Sequence, residues 1–457
     1  MKKLNAIIIL LAGTMIHSFT ACRKFVEIDA PKNQLTTATV FADSLNADAA
    51  ITGLYSQIAS AGSFGLLAGG MTLYPGLSSD ELNISFNDAS LAAFYNNNIL
   101  VTDAKNQSLF LLGYKYIYST NACIEGIAGS ERIPAKVKQQ MTGELRALRG
   151  WIYFNLVNLY GALPIIITAD YNQTKLLSRS SVEQVYGQII SDLKFAEENM
   201  SPDAHDWSRA GYYAAAALLS KVYLYTGKYD LAIAETGKVI SSGIFSLESN
   251  PGNVFLAGST ETIWSILPVV PQQATYEGLY FVPASASATP RYILNQSLYD
   301  SFEEGDSRKI NWIRTNTISG KSYPYPFKYK VRTTTTTPAE HYVVFRMAEL
   351  YLIRAEAEAN LGNINAAKDD LNFIRNRAGL SNTEASDKSS MLLSVERERR
   401  AELFCEWGNR WMDLKRTGRA INVLSPLKPN LTLNSTLYPI PVYELNSNPN
   451  LSQNPGY

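Results

Sequence analysis

The stretch that decides the fold is ERERRAELFCEWGNRWMDLKRTGR, residues 396–419. Read as one helix, it places its large apolar side chains three and four positions apart, on one face: Phe404, Trp407, Trp411 and Leu414. Glu406 lies one turn before Arg410, which is the favoured order for an intrahelical ion pair. Glu396 and Arg400 repeat that arrangement. Two tryptophans on a charged helix predict that the helix docks deeply against the rest of the chain.

Gly408 lies inside this stretch, where it costs a helix roughly 1 kcal/mol relative to Ala. A glycine retained at that cost predicts that another backbone passes very close to it. The stretch has no activated nucleophile and no set of metal-binding side chains. We therefore interpret it as a buried structural element around which the rest of the chain packs, rather than as a catalytic surface.

The amino terminus reads as an export signal. Lys2 and Lys3 precede the apolar residues 7–12, and the segment is too short to span a membrane. It ends in FTAC, which resembles a bacterial lipobox and predicts lipidation of Cys22. The alternative is an ordinary cleaved signal in which Cys22 occurs by chance.

Composition excludes several classes of function. Lys and Arg number 41 and Asp and Glu also number 41, so a nucleic-acid partner held by net charge is not expected. Only His205 and His341 follow the signal, which argues against a histidine-based metal site or catalytic triad. We predict no metal and no cofactor. The remaining cysteines, Cys123 and Cys405, could pair or stay as buried free thiols.

Helical periodicity recurs along much of the chain, in residues 41–60, 106–129, 136–160, 182–200 and 342–361. GKYDLA from Gly227 and GNINAA from Gly362 share a turn glycine and a small residue five positions on. This spacing is typical of tetratricopeptide-like helical hairpins, in which Ala allows helices to approach closely. The two hairpins flank residues 243–340, which predicts a large insertion between them.

Several charged side chains on the predicted helices are interpreted as structural, because each has an opposite charge close by in sequence or lies on a helix flank. They are Arg146, Arg149, Asp306, Arg308, Glu349, Glu356 and Glu358.

Two loop-rich regions, about 61–104 and 243–340, carry the candidate ligand site. Long loops inside a compact domain are usually functional, and these combine aromatic side chains with Asp and Asn. Aromatic faces stack on sugar rings, and polar side chains bind sugar hydroxyls. The candidates are Tyr74, Asp80, Asn83, Phe86, Tyr95, Tyr276, Tyr280, Tyr292 and Trp312. In the alternative interpretation, the first region is a connector whose aromatics pack into the core. Short strands are predicted at residues 262–267 and 280–282.

Four signatures resemble the SusD/RagB lipoproteins of Bacteroidetes. They are the pattern ER-x-x-EL-x-x-E-x-x-R-x-x-DL-x-R from Glu398, LRALRGWIYFNLVNLYGALP, FRMAELYLIRAEAEANLG, and the terminal YPIP with NPGY. The resemblance implies a mostly α fold, in which tetratricopeptide-like hairpins form a right-handed superhelical scaffold with a loop-rich insertion containing short strands. It implies a signal peptide (residues 1–21), a lipidated tether (22–34) and a single domain (35–457). The scaffold would occupy about 36–60, 105–242 and 342–420, followed by an extended tail (421–457).

The same resemblance implies a function without chemistry. Members of this family are surface lipoproteins that bind a glycan or oligosaccharide and deliver it to a SusC-type TonB-dependent transporter in the outer membrane. A subunit that binds peptide, or that only seals the transporter, is an alternative. A remote alternative is a glycoside hydrolase, which would need two carboxyl groups about 5 to 10 Å apart, such as Asp80 with Glu81 or Glu303 with Glu304.

Overall fold

The computed structural model describes residues 37–62, 64–204, 206–270, 272, 274–333 and 339–457. The predicted signal peptide, Cys22, the tether and His205 lie outside the described residues. The fold is mostly helical, at 54%. No helix among the described residues is both long and apolar enough to cross a membrane.

The amino-terminal half contains ten helices and one strand within the described residues. In chain order they are α1 (Thr37–Val40), α2 (Ser44–Ala59), α3 (Gly70–Ser78), β1 (Leu82–Ile84), α4 (Ala89–Tyr95), α5 (Ala104–Gly129), α6 (Ala135–Tyr160), α7 (Tyr171–Thr174), α8 (Val182–Asn199), α9 (Tyr212–Tyr225) and α10 (Tyr229–Ile240). Helix α6 packs between α5 and α8, and α9 packs against α8 and α10. A capping box at Ser181 begins α8, because its side chain and that of Gln184 each accept the other's backbone N–H.

The carboxy-terminal half holds most of the strands. Its elements are β2 (Thr262–Ile266), α11 (Tyr276–Phe281), β3 (Tyr292–Leu294), α12 (Gln296–Tyr299), α13 (Ser307–Trp312), β4 (Ile313–Ile318), β5 (Lys321–Pro326), β6 (Tyr342–Arg346), α14 (Met347–Leu361), α15 (Ile364–Arg377), α16 (Lys388–Leu403), α17 (Asn409–Arg416), α18 (Ala420–Leu424) and α19 (Val442–Ser447). Three antiparallel pairs form among the strands: β1 with β3, β2 with β6, and β4 with β5.

The two predicted helical hairpins are confirmed and lie next to each other. Gly227 joins α9 to α10 at a φ of 70°, and Gly362 joins α14 to α15 at a φ of 86°, both in the left-handed region that glycine adopts readily. Helix α10 packs against α14, so the second hairpin continues the stack of the first. Small side chains such as Ala355 and Ala367 are fully buried between helices. Residues 241–346 therefore form an insertion between α10 and α14, which are neighbours in the helical stack.

The deciding stretch is not one helix, which corrects the prediction. Helix α16 ends at Leu403 and α17 begins at Asn409, and between them Cys405, Trp407 and Gly408 all have positive φ. The close approach predicted at Gly408 is confirmed. A Cβ there would lie 2.8 Å from the Pro75 Cβ and 3.0 Å from the Met71 carbonyl oxygen. The chain turns sharply because helix α3 occupies the space that a continuous helix would need.

The aromatic side chains of this stretch are nevertheless buried as predicted. Trp411 is fully buried, and the Trp407 ring lies 5.1 Å from that of Trp151. The predicted intrahelical ion pairs do not form, because Arg400 and Arg410 both bind Asp80, at 2.8 Å. Breaking the helix turns these arginines toward the carboxylate that follows α3.

Other local predictions also need correction. Residues 342–346 form strand β6 rather than the start of a helix, since Val343 and its neighbours pair with β2 and are buried on both faces. Residues 280–282 do not form a strand, because Tyr280 belongs to helix α11. The region 61–104 contains α3, β1 and α4, and the tail after residue 420 contains α18 and α19. Buried apolar side chains in α3, β1, α4 and α18 account for regular structure that the many Gly, Ser and Asn residues of these segments did not predict, whereas α19 has no buried residue.

A buried ion-pair network holds the inserted region to the helical stack. We define the network as Glu261, Asp306, Arg308, Lys328, Arg346, Arg377, Glu398, Glu402 and Glu406, all buried or nearly so. Arg346 Nη1 lies 2.7 Å from Glu261 and 2.6 Å from Glu402, and its Nη2 lies 2.8 Å from Glu406. Arg308 binds Asp306 at 2.8 Å. The predicted structural role of the Asp306–Arg308 pair is confirmed.

The remaining charged side chains that were interpreted as structural also have internal partners. Arg149 and Arg146 both bind the buried Asp192, at 2.7 and 3.1 Å. Glu356 binds Arg416. Glu349 contacts Lys221 at 2.7 Å, and Glu358 accepts a hydrogen bond from Asn363. Both remaining cysteines, Cys123 and Cys405, are buried and free.

Candidate functional site

Aromatic rings from the two loop-rich regions meet at one place, which we call the aromatic patch. The Phe64 ring is the centre, with centroids 5.2 Å from Tyr280, 5.5 Å from Tyr292 and 6.0 Å from Phe281. The patch consists of Phe64, Phe86, Tyr276, Tyr280, Phe281 and Tyr292. Strand pairing assembles it, since β1 sets Ile84 opposite Tyr292 in β3.

The rings of the patch differ in exposure. Phe86 and Tyr280 are half-buried, whereas Phe64, Tyr276, Phe281 and Tyr292 are each at most 6% exposed. Tyr276 and Tyr280 lie one helical turn apart in α11 and stack with an interplanar angle of 13°. The two outer rings therefore rest on a layer of buried rings, which holds their orientation.

Local chemistry fixes the backbone under the patch. The Thr275 side chain accepts a hydrogen bond from the Gly278 N–H and begins α11. At Gly278 a Cβ would lie 2.3 Å from the Val331 carbonyl oxygen, so only glycine fits there. Phe64 has a φ of 59°, a left-handed conformation that is strained for an aromatic residue. Such strain tends to occur at ligand-binding sites, where the surrounding structure enforces it.

Polar side chains border the outer rings. The Arg291 guanidinium lies 4.3 Å from the centroid of the Phe86 ring and is exposed to solvent. Asn83 is half-buried in β1 opposite Ile293, on the other face of the strand pair from Tyr292, and its Oδ1 accepts a hydrogen bond from the Ile84 N–H. Burial raises the pKa of Tyr292 to about 12, although Arg291 partly opposes that rise. The Tyr292 hydroxyl is therefore protonated at neutral pH.

This arrangement matches the physical requirements of sugar recognition. Two partly exposed aromatic faces can stack on the apolar faces of pyranose rings. A guanidinium and tyrosine hydroxyls lie beside them and can bind sugar hydroxyls directly or through water. Because the outer rings rest on buried ones, little conformational entropy is lost on binding.

Of the nine residues named from the sequence, four belong to the patch: Phe86, Tyr276, Tyr280 and Tyr292. Tyr74 and Tyr95 lie elsewhere. Tyr74 is 5% exposed, and its ring packs 4.7 Å from that of Phe94. Tyr95 is half-buried against the Lys428 ammonium, 4.3 Å from its ring centroid. Both help to fasten α3 and α4 to the carboxy-terminal segment.

Asp80 and Trp312 are interior residues. Arg410 binds the Asp80 carboxylate through two bonds of 2.8 and 3.0 Å. Burial opposes ionisation of Asp80, but Arg410 and Arg400 outweigh it and lower its pKa. Trp312 has no exposed surface, donates its Nε1–H to the Pro251 carbonyl and packs against Lys328 of the network. Neither side chain reaches the surface, so the function proposed below does not rest on them.

Sequence reasoning singled out Phe281 but missed two residues of this site, Phe64 and Arg291. Phe64 was present as the one aromatic in SAGSFGLLAGG, a signal that could have been used because glycines allow a close approach of rings. Arg291 directly precedes Tyr292, but no local pattern shows that it lies over Phe86. Strand pairing between β1 and β3 creates that contact.

Comparison with known proteins gives a consistent picture. The sequence profile described as "SusD family" matches residues 272–430, and one described as "Starch-binding associating with outer membrane" matches residues 32–224. The SusD-like protein P25 of Formosa agariphila is 24% identical, with 95% of each chain covered.

Two solved structures share the fold. A SusD superfamily protein from Bacteroides vulgatus has a TM-score of 0.81 at 20% identity, covering 91% of this chain and 99% of that one. A structure described as a laminarin-binding SusD-like protein has a TM-score of 0.76 at 26% identity, covering 90% and 99%. The predicted mostly α fold is thereby confirmed.

Proposed function

The chain belongs to the SusD family, and from that premise we propose that it is a glycan-binding lipoprotein of the bacterial outer membrane. It captures an oligosaccharide and passes it to a SusC-type TonB-dependent transporter. Lipidation of Cys22 anchors it to the membrane. The description of the matched profile and the printed name of the laminarin-binding relative support the glycan as ligand.

The observation that carries the proposal is the aromatic patch. Phe86 and Tyr280 are its two partly exposed rings, and each is supported by buried rings within 6.2 Å between centroids. A site of this kind binds an extended sugar chain, because consecutive pyranose rings present repeated apolar faces. Arg291 supplies hydrogen bonds that select among sugars.

The role is binding rather than catalysis. A glycoside hydrolase needs two carboxyl groups that flank the sugar bond. Asp80 and Glu81 are buried and bind Arg410 and the Cys405 N–H, while Glu303 is paired with Arg375. In the patch itself, Glu277 is buried. Three of the four carboxylates considered for hydrolysis, Asp80, Glu81 and Glu303, thus bind other groups of the protein, whereas Glu304 is exposed.

Binding to polysaccharides tests the proposal directly. Isothermal calorimetry would use the full-length protein with a glycan panel that includes starch and laminarin. Tyr280→Ala and Phe86→Ala should each weaken binding of the recognised glycan about tenfold, since each removes one stacking face. Tyr443→Ala is a matched control, because Tyr443 is an exposed aromatic on α19 and is not part of the patch.

The results distinguish the competing functions. Glycan binding that Tyr280→Ala weakens and Tyr443→Ala leaves unchanged supports capture at the patch. Failure of every glycan to bind, with binding of oligopeptides, would instead assign a peptide cargo. Release of new reducing ends from a bound glycan would show hydrolysis and contradict a purely binding role.

The anchor and the transporter partner need separate experiments. Wild-type protein should incorporate a labelled fatty acid and Cys22→Ala should not. Affinity purification of the wild-type protein from native outer membranes should recover a TonB-dependent transporter. A protein that is secreted unlipidated, or that purifies without a transporter under mild detergent, would contradict these parts of the proposal.

A further inference from the structure

Charge is distributed unevenly around the aromatic patch. Residues 279–299 and 313–333, which the structure describes in full, contain six Lys or Arg residues and no Asp or Glu. Over the whole chain the two signs are equal, at 41 each. These two segments comprise the end of α11, strands β3, β4 and β5, and the loops between them. The chain is therefore locally cationic beside the patch.

The acidic residues between these segments do not neutralise it. Asp306 is buried and bound to Arg308, and Glu303 binds Arg375 of helix α15. Asp300 accepts a hydrogen bond from Gln296. Glu303 and Asp306 line the cleft next to α16. The charges of Glu303 and Asp306 are thus directed toward the helical stack, whereas Asp300 and Glu304 are exposed.

Three of the six cations have internal partners. Lys328 belongs to the ion-pair network. Lys330 donates to the Gly252 carbonyl at 2.6 Å, and Arg332 donates to the Leu279 and Val282 carbonyls at 2.7 and 2.6 Å. These three stabilise the fold. The other three, Arg291, Arg314 and Lys321, are exposed, although Arg314 also donates to the Ile310 and Ile313 carbonyls.

The exposed cations lie on one surface with aromatic rings. In the β4–β5 pair, Arg314 is opposite Tyr325, and residues directly opposite each other share a face. The Lys321 ammonium lies 5.1 Å from the Tyr323 ring centroid. Asn316 ties this hairpin to the loop that leads to Arg291, since its amide donates to the Ser285 and Ala288 carbonyls.

One acidic side chain lies close to the patch, and it is already occupied. Asp88 caps helix α4 by accepting the Leu91 N–H and pairs with Lys105 at 3.2 Å. The pair is neutral overall, so it leaves the positive potential of Arg291 in place. A surface that combines exposed guanidinium groups with aromatic faces suits a ligand that is both cyclic and anionic.

We propose that the glycan bound at the patch is acidic, and that its carboxylate or sulfate groups bind Arg291 and the cationic face formed by Arg314 and Lys321. This inference rests on the proposed function, because it assumes that a glycan binds at the patch. It assigns uronate-containing or sulfated polysaccharides as the substrate class. Arg291 contacts the ligand nearest the stacking rings, and the other two extend the contact along the sugar chain.

Matched pairs of polysaccharides test the inference, using the full-length protein and calorimetry. Polygalacturonate is compared with its carboxyl-reduced form, and sulfated laminarin with laminarin, so that charge changes while the backbone stays the same. The acidic member of at least one pair should bind about tenfold more tightly at low salt, and that advantage should shrink as ionic strength rises. The two pairs distinguish carboxylate from sulfate.

Arg291→Gln should abolish most of the affinity advantage of the acidic member over the neutral one, because any hydrogen bond to sugar hydroxyls that is lost is lost by both members alike. Arg132→Gln is the control, because Arg132 is an exposed arginine in the connection between α5 and α6. Equal loss from the two substitutions would mean nonspecific attraction and would overturn the inference.

The remaining outcomes separate this inference from the proposed function. Equal binding of the neutral and acidic members overturns the inference and leaves glycan capture intact. Binding of neutral starch or laminarin alone does the same. Absence of binding by every polysaccharide, charged or neutral, overturns the proposed function and this inference together.

Discussion

The aromatic patch joins residues from both halves of the chain, the ion-pair network lies in the carboxy-terminal half, and the two use opposite chemistry. The network buries whole charges, and each guanidinium meets two or three acceptors, as Arg346 does with Glu261, Glu402 and Glu406. The patch leaves two rings partly exposed and carries its cation, Arg291, at the surface. The first arrangement is completed within the protein, whereas under the proposed function the second is completed by a ligand.

This difference explains why the sequence signatures of the family predict the fold but do not predict the ligand. The network draws on the sequence signatures, since Glu398, Glu402 and Glu406 come from the deciding stretch and Arg346 from the start of FRMAELYLIRAEAEANLG. Each member is constrained by several partners, so a change at one affects the others. No residue of the patch lies in those signatures. Signatures therefore identify the fold and leave the ligand open.

The largest expected effect is loss of stability from the centre of the network. Arg346→Ala would leave the carboxylates of Glu402 and Glu406 buried beside fewer cations, which should lower the free energy of unfolding by about 3 to 5 kcal/mol. Arg346→Lys keeps the charge but not the bidentate geometry, and should fall between the wild type and Arg346→Ala. Denaturant unfolding followed by circular dichroism measures both.

Arg354→Ala provides a matched control for that experiment. Arg354 also binds one carboxylate through two bonds of 2.7 Å, to Asp370, but its side chain is 25% exposed. Its removal should cost only about 1 kcal/mol. Equal losses of unfolding free energy in the Arg346→Ala and Arg354→Ala variants would contradict the prediction that burial increases the contribution of the network to stability.

A second prediction concerns pH and Glu81, which lies beside the network. Burial, together with the nearby charge of Asp80, raises the pKa of Glu81 from 4.5 to about 8. The folded protein then holds a proton that the unfolded chain releases, so the free energy of unfolding should fall as pH rises from about 5 to 8. Through this group alone the loss should be about 2 to 4 kcal/mol.

Glu81→Gln isolates that contribution, since the amide oxygen can still accept the Cys405 N–H. The variant should equal the wild type in stability at about pH 5 and exceed it at about pH 8. Unfolding curves at several pH values measure the difference. A constant difference across that range would show that Glu81 does not titrate as the structure indicates.

A third prediction uses two glycines with nearly the same backbone. Gly408 and Gly418 have φ values of 70° and 69°, but only Gly408 has neighbours that a Cβ would strike. Gly418→Ala should cost about 1 kcal/mol from backbone strain alone. Gly408→Ala should cost about 2 to 3 kcal/mol, because overpacking against Pro75 adds to that strain. If thermal unfolding showed equal losses of stability for the two variants, the close approach of Pro75 to Gly408 would be contradicted.

The sequence predicted the positions of the helices better than it predicted contacts between distant segments. Helical periodicity located α5, α6 and α8 within a few residues, because each buries one continuous face. It failed at residues 342–346 and 404–408, where pairing with β2 and the approach of α3 determine the backbone. At the site, composition identified Tyr280 and Phe86, but it could not separate them from buried aromatics such as Trp312. Exposure depends on what packs above a ring, and distant segments determine that.

Trp312→Phe tests whether the ion-pair network and the aromatic patch act independently. Controls aside, it has the smallest expected effect on stability and on glycan affinity. Trp312 was a candidate for stacking on a sugar, yet its ring lies between Lys328 and Phe404, and its Nε1–H is bonded to the Pro251 carbonyl. The substitution loses that hydrogen bond and some packing, at about 2 kcal/mol of stability. Glycan affinity should stay within about twofold of the wild type, in contrast to Tyr280→Ala, because the ring contributes to the network and not to the patch. A tenfold loss of affinity in a variant that remains folded would show that the network also shapes the ligand site. The separation between a region completed by the protein and one completed by its ligand would then fail.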